Sequence, residues 1–344
     1  MERLYIKVIN YDPRYNASKA MIDIDNILSS SDYAPLLEEA RINQSKDFDR
    51  IFYKIKYLLK MRKKLKEHKD SILFVQYPTY LGNLFLFPLL FSGMGKRRKI
   101  VYIIHDLNGL RFHSKFVDNI DRKVLRKAYR IISHNSKMSL YIKDIYGIPE
   151  SRIIDLNMFD YLVAKRPSSV RHKEDGLAFA GNVTKSYSLI KDYIDRKIKT
   201  PLHIYGYKGK DSPNIDTEFT SYEGIYPPEE IPNRLKGGFG LVWDGINVTD
   251  LTGEYGEYQR FNNPHKASLY LISNLPIICS DKAAIADYVV KENIGLAVSS
   301  LTEITKRIKE LKEEEYQKML DNVKKIGDNL SKGEMLKKAL NKIE

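Results

Sequence analysis

Asn262, Asn263, His265 and Lys266 stand around Pro264, directly before the apolar run ASLYLISNLPIIC. Proline's fixed φ suits the first turn of a helix, and an asparagine just before it can cap that turn, so a helix is expected from about 264. The first N–H groups of such a helix and its dipole attract anions, and Lys266 adds a full positive charge there. A helix start favours acidic side chains, so a lysine at that place calls for a negative partner, which a diphosphate would supply. The plain alternative is a capped helix with a surface lysine. A second pair, His105 and Asp106, closes the apolar run IVYIIHD. A buried strand rarely ends on His-Asp without a polar task, either chemistry or the capping of the next loop.

The elements that must position these residues alternate between short β-rich runs and helical stretches. LYIKVIN (4–10), SILFVQY (71–77), IVYIIHD (100–106), RIISHN (130–135) and RIIDLN (152–157) make one series. GLAFAGN (176–182), PLHIYGY (201–207), GFGLVWDG (238–245), LPIICSD (275–281) and GLAVSS (295–300) make another. Between them VAKRPSSVRHKEDG (163–176) loses its periodicity and reads as a linker. This is the pattern of two α/β units in series, each with an open parallel sheet. Ligands of such sheets sit beyond the carboxyl ends of the strands, which singles out Asn10, His105, Asp106, Asn182, Lys185, Tyr205, Asp244 and Asp281. Trp243, beside Asp244, is read either as one wall of a pocket or as core. Asn182, after Gly181, can equally form a turn, and Tyr205 can be one more core aromatic.

Several chemistries are excluded by what the strand ends lack. VIN runs into YDPRYNASKAMIDIDNIL without a glycine, so the first unit has no GxGxxG dinucleotide fingerprint. There is no GxxxxGK[ST] loop, HExxH, paired CxxC or GxSxG. The one cysteine, Cys279, lies in an apolar run and cannot form an internal disulfide, which fits a reducing cytoplasm.

At 344 residues, with 43% hydrophobic and 11% aromatic residues, the chain has material for two sizeable cores. The N-terminus MERLYIKVIN lacks a signal peptide's apolar core, and LGNLFLFPLLFSGMG (81–95) is too short to span a bilayer and is interrupted by Pro88. The net charge of +13 is concentrated in KIKYLLKMRKKLKEHK (54–69) and KRRK (96–99). The first run sets Ile55, Leu58, Leu59, Met61 and Leu65 among lysines at helical spacing, as in an amphipathic helix with a solvated basic face or one that meets an anionic membrane. No nucleic-acid-binding signature accompanies the charge.

FAGNVTKS (179–186), LHIYGY (202–207), YEGIYPPEEIPNRLKGGFGLVWDG (222–245) and QRFNNPHKASLYLISNLPIICSDKAAIADYVVKENIGLAV (259–298) resemble bacterial sugar-nucleotide-dependent hexosyltransferases. The relatives are β-1,6-galactofuranosyltransferases and the glucosyltransferases that extend glycans on serine-rich-repeat adhesins. The resemblance is dense over the second unit and rests in the first on the loop after strand 1 and the IIHDL segment.

It implies an α/β, GT-B architecture of two Rossmann-like, doubly wound domains facing across a cleft. The expected division is an acceptor domain over 1–165, a nucleotide-sugar domain over 176–325 and a C-terminal helix over 326–344 that packs back on the first domain. It implies a UDP-sugar donor, a glycan or glycoprotein acceptor and no metal. Asn16, Ser18 and Lys19 fall in the matching loop near the sugar or diphosphate. Asn182, Lys185, Tyr205 and Gly206 fall on the nucleotide side, with Tyr205 suited to stacking on uracil. Asn262, Asn263, His265 and Lys266 fall at the departing diphosphate. Transfer with inversion needs a base, for which His105 or Asp106 is expected. The expected activity is therefore transfer of a glucose- or galactose-type hexose, with galactofuranosyl transfer or a non-catalytic nucleotide- or carbohydrate-binding module as alternatives. A homo-oligomer, a cytoplasmic or peripheral membrane location and no nucleic-acid partner complete the expectations.

Overall fold

The computed structural model describes residues 1–7, 19–37, 47–79, 98–210 and 212–343, with the backbone alone for 47–54. Asn10, Asn16, Ser18, the apolar stretch 81–95 and the first two residues of KRRK (96–99) lie outside the described residues. The chain divides into two compact units, Met1–Leu156 with Leu336–Glu344, and Asn157–Met335.

Among the described residues of the first unit six strands, β1 (Glu2–Tyr5), β2 (Ala34–Pro35), β3 (Ser71–Tyr77), β4 (Lys99–Ile104), β5 (Arg130–Ser133) and β6 (Ile153–Asp155), form a parallel sheet in the order β2-β1-β3-β4-β5-β6. All seven residues of β3 are buried, as a strand covered on both faces must be. β2 escaped the sequence pattern because it is two residues long and includes a proline, which an edge strand tolerates. The basic run folds as the helix Asp47–Glu67 and buries Tyr57, Met61 and Leu65 at i, i+4, i+8. Ile55 and Leu59, expected on the apolar face, are instead 51% and 62% exposed.

In the second unit β7 (Leu177–Ala180), β8 (Leu202–Tyr205), β9 (Thr220–Gly224), β10 (Phe239–Val242), β11 (Ile277–Ser280) and β12 (Gly295–Val298) form another parallel sheet, ordered β12-β11-β10-β7-β8-β9. The order reverses between β7 and β10, so the crevice beyond their carboxyl ends is the switch point where α/β sheets take ligands. β9, TSYEG, was not legible as a strand because it has little apolar surface to bury at the sheet edge.

The segment 163–176 is no loose linker. Arg171, 6% exposed, donates to the carbonyls of Leu235 (2.7 Å) and Ser273 (2.9 Å). Arg166 bonds Ile272 O (3.1 Å), Lys324 O (2.8 Å) and the Asp328 carboxylate (2.6 Å). Two guanidiniums thus satisfy helix-end carbonyls and clamp the segment to the second unit. The division falls at 156/157, the helix Glu313–Leu330 runs across position 326, and Leu336–Glu344 groups with the first unit.

Candidate functional site

The second unit brings Lys266 to the switch point. It is the second residue of the helix His265–Ile272, which leads into β11. Its Nζ lies 4.9 Å from the ring centre of Phe179 on β7 and 2.5 Å from Oδ1 of Asp244, two residues past β10. Both side chains are largely enclosed, 13% and 25% exposed. The negative partner that a lysine at a helix start calls for is therefore supplied within the protein.

The placement is enforced one turn further on. The Tyr270 hydroxyl accepts from the Ala180 N–H (2.8 Å) and donates to Leu241 O (3.1 Å), tying the helix to the ends of both switch-point strands. Gly240 makes room for that ring, since a Cβ there would lie 2.1 Å from Tyr270 Cγ. Asp244 is held through its backbone, whose N–H donates to Oε1 of Gln259 at 2.9 Å. Gln259 is fully buried, and its carbonyl accepts from Ala284 N (3.0 Å), linking the loops after β10 and β11. Gln259 was not singled out from the sequence, where the only sign was a polar residue amid GEYGEYQRF.

The helix start differs from expectation. Pro264 is itself the N-cap, with ψ 138°, and no side chain caps the helix. Asn263 is buried and donates from Nδ2 to Asn157 O at 2.5 Å, and Asn262 makes no capping bond either. His265, expected at the leaving group, stacks on Tyr161 at 5.0 Å and 15°, with Nε2 3.3 Å from Asp160 O. Asn263 and His265 thus fasten the helix start to segment 157–161, Asn262 bonds through its N–H to Tyr258 O (3.1 Å), and of the four it is Lys266 that reaches the strand ends.

One residue expected on the nucleotide side, Tyr205, belongs to the core. Tyr205 is 1% exposed; its hydroxyl accepts from Lys236 N (2.9 Å) and donates to Arg234 O (3.1 Å), so its ring is not offered for stacking. Burial pushes its hydroxyl up to about 12. Gly206, at φ 127°, is required by Gly181, whose carbonyl oxygen would lie 1.8 Å from a Cβ at 206. Asn182 closes a turn, its Oδ1 accepting from Lys185 N three residues on at 3.0 Å. Lys185 is exposed in that turn, with Nζ 4.9 Å from the ring centre of Tyr255. Trp243 is fully buried and donates to Asn247 O (2.9 Å), which makes it core. Beside this region Asp250 pairs with Lys282 (3.0 Å) and Arg260 (3.3 Å), and the Lys282 hydrogen bond leads the interactions that hold its carboxyl below the usual range.

The first unit has its own polar cluster at the ends of β3 and β4. His105 Nε2 is 2.7 Å from Oε1 of Gln76, whose amide donates to Asp25 (2.8 Å) and Met21 O (3.0 Å). With the Gln76 NH2 so used, its oxygen is the acceptor and His105 donates from Nε2. Asp106 pairs with Arg111 at 2.8 Å. Lys19, buried at the start of the helix Lys19–Ser29, pairs with Asp23 at 2.5 Å. Gln76, the one amide in SILFVQY, was the overlooked member. Among the described residues no group of three or more His, Cys, Asp or Glu is arranged to hold a metal ion, and no helix is long and apolar enough to cross a membrane.

Models of the glucosyltransferase 3-like N-terminal and C-terminal domains match residues 3–158 and 177–343. β-1,6-galactofuranosyltransferase WbbI of Escherichia coli (strain K12) is 33% identical over 284 residues, 80% of each chain. Glucosyltransferase 3 of Streptococcus gordonii is 27% identical over 276 residues, 78% of each. Among solved structures, HepE of Anabaena in complex with UDP-glucose has a TM-score of 0.60 at 12% identity, covering 100% of this chain and 98% of its own. WaaG, a glycosyltransferase involved in lipopolysaccharide biosynthesis, has 0.56 at 11%, covering 99% of both chains. These neighbours establish the GT-B type of fold, an α/β arrangement of two Rossmann-like units.

Proposed function

The chain belongs to the glucosyltransferase 3-like family of glycosyltransferases, and we propose that it transfers a hexose of glucose or galactose type from a UDP-sugar to a carbohydrate acceptor on a glycoprotein or surface polysaccharide. The observation that carries this reading is Lys266, an ammonium held at the switch point by a helix whose start bears no side-chain cap. A diphosphate leaving there gains charge as the glycosidic bond breaks, and a cation fixed beforehand stabilises that charge more in the transition state than in the ground state. The named relatives, a galactofuranosyltransferase and a glucosyltransferase, support a sugar-nucleotide donor.

In this reading the first unit serves the acceptor. His105, anchored by Gln76 through Nε2, takes the proton from the attacking hydroxyl, or Asp106 does. No metal takes part, because Lys266 and the helix start supply the positive charge. The enzyme works in the cytoplasm as a homo-oligomer, and the exposed Ile55 and Leu59 with Lys56, Lys60 and Lys63 add contact with an anionic membrane.

UDP release from UDP-glucose, UDP-galactose and UDP-galactofuranose, over an array of glycan acceptors, tests the reading. Acceptor-dependent release from one donor, unchanged by chelators, is expected. Binding of UDP without turnover on any acceptor would make the chain a binding module. The 33% identity to a galactofuranosyltransferase favours one second reading, in which only UDP-galactofuranose is turned over.

A further inference from the structure

The ion pair at the switch point bears on which anions Lys266 accepts. The backbone of Asp244 is held in place. Its N–H is bonded to the buried Gln259 (2.9 Å), and the following Gly245 sits in a turn so closed that a Cβ would lie 2.5 Å from Asp250 O. Lys266, by contrast, carries its charge at the end of a long stem, with Nζ 4.9 Å from the ring centre of Phe179. The two charges are 2.5 Å apart, so an arriving anion meets an ammonium already neutralised by a fixed carboxylate. Because both groups are more than two-thirds enclosed, water and salt screen that carboxylate weakly.

We propose that Asp244 is a positioning and selectivity residue of the donor site. It holds Lys266 while the site is empty and yields it only to an anion that outcompetes a tethered carboxylate. A nucleoside diphosphate does so, because its second phosphate adds charge and reaches the N–H groups of the helix start as well. A nucleoside monophosphate or inorganic phosphate brings less charge against the same resident competitor and is turned away. This is discrimination by a repulsive element: it lowers the affinity of every anion that must displace it, and an anion with further contacts at the helix start keeps more of its binding. The inference rests on the reading that Lys266 meets the donor diphosphate.

Calorimetric titration of the full chain with UDP, UMP and inorganic phosphate, alongside turnover, provides the test. Asp244→Asn keeps shape and removes charge. UDP should bind about tenfold more tightly, UMP and phosphate should gain more than UDP does, and kcat should fall about tenfold because Lys266 loses its orientation. Asp244→Glu, which keeps the charge, should retain the preference for UDP over UMP. A merely structural aspartate would not raise ligand affinity when removed. Wild-type affinities in Asp244→Asn, or loss of UDP binding by the folded variant, would overturn the inference. If the asparagine variant does not fold, Asp244→Ser takes its place with the same expected outcomes. Lys266→Ala separates the two levels. If it leaves UDP affinity unchanged, the reading of Lys266 itself fails; if it weakens UDP while Asp244→Asn changes nothing, only the role of Asp244 is lost.

Discussion

Each unit places a lysine against an aspartate near the ends of its central strands, yet the two pairs are built differently. Lys19 and Asp23 are one turn apart on a single helix, 2.5 Å from each other and almost wholly buried. Lys266 and Asp244 are also 2.5 Å apart, but they come from the start of one helix and the end of another strand, and both keep some exposure. The first pair forms wherever its helix forms. The second exists only when β7, β10 and the helix before β11 are assembled, and it is therefore tied to the crevice those elements make. A charge pair contributed by separate elements at a switch point is the better sign of a ligand site.

The sharpest way to break this contrast is to remove the second cation. Lys266→Ala should cut turnover by about 10²–10³, the scale for loss of one preorganised donor to a developing anion, and weaken UDP by about tenfold. Lys266→Met, of similar bulk, should fail as badly. Steady-state kinetics at near wild-type rates in both folded variants would reduce the helix start to a structural feature.

His105→Ala probes the first unit at its other polar residue. A loss of about a hundredfold in turnover with UDP affinity unchanged is expected if the ring takes the acceptor proton. Normal turnover would return His105 to being a partner of Gln76 alone.

The units should also differ in their response to pH. In the first unit Asp121 is fully buried and accepts from the Tyr77 hydroxyl and from Gly109 N (2.9 Å), and burial pushes its carboxyl up to about 6. A raised native value means that the folded state holds the proton more tightly. The stability this confers is fully present below the ordinary carboxylate value of 3.8 and is lost as pH rises through about 6. Relative to Asp121→Asn, the wild type should lose about 2–3 kcal/mol between pH 4 and 7. Thermal melts with parallel pH profiles for the two proteins would contradict this.

The smallest effect is expected at Tyr205. Tyr205→Phe removes two hydrogen bonds to the 234–236 backbone and should cost about 1 kcal/mol of stability with no change in UDP binding. A large loss of UDP affinity would mean that the ring does meet the base after all.

Much of this architecture is legible in the sequence. Parallel strands covered on both faces are uninterrupted apolar runs, so β3, β4, β7, β10 and β11 declared themselves, whereas β2 and β9 bury too little to leave a pattern. Lys266 stood out because a charge directly before an apolar helix is locally costly, and local cost is visible in sequence. Tyr205 is expected at the ligand because it ends a strand and lies in the HIYGY segment of the resemblance, and neither says which way its ring turns. Nor does spacing show that Asn263 and His265 turn to residues 157–161, a hundred positions away.

By itself the sequence determined the fold class, the two-unit organisation, the family and the charge at the head of the helix, since each rests on local pattern or on extended similarity. Only the tertiary structure decided that Lys266 meets Asp244 and that buried Gln259 holds that aspartate in place. The physical reason is that these contacts join residues 15 and 22 positions apart through the order of strands in a sheet, and strand order is set by packing of the whole unit.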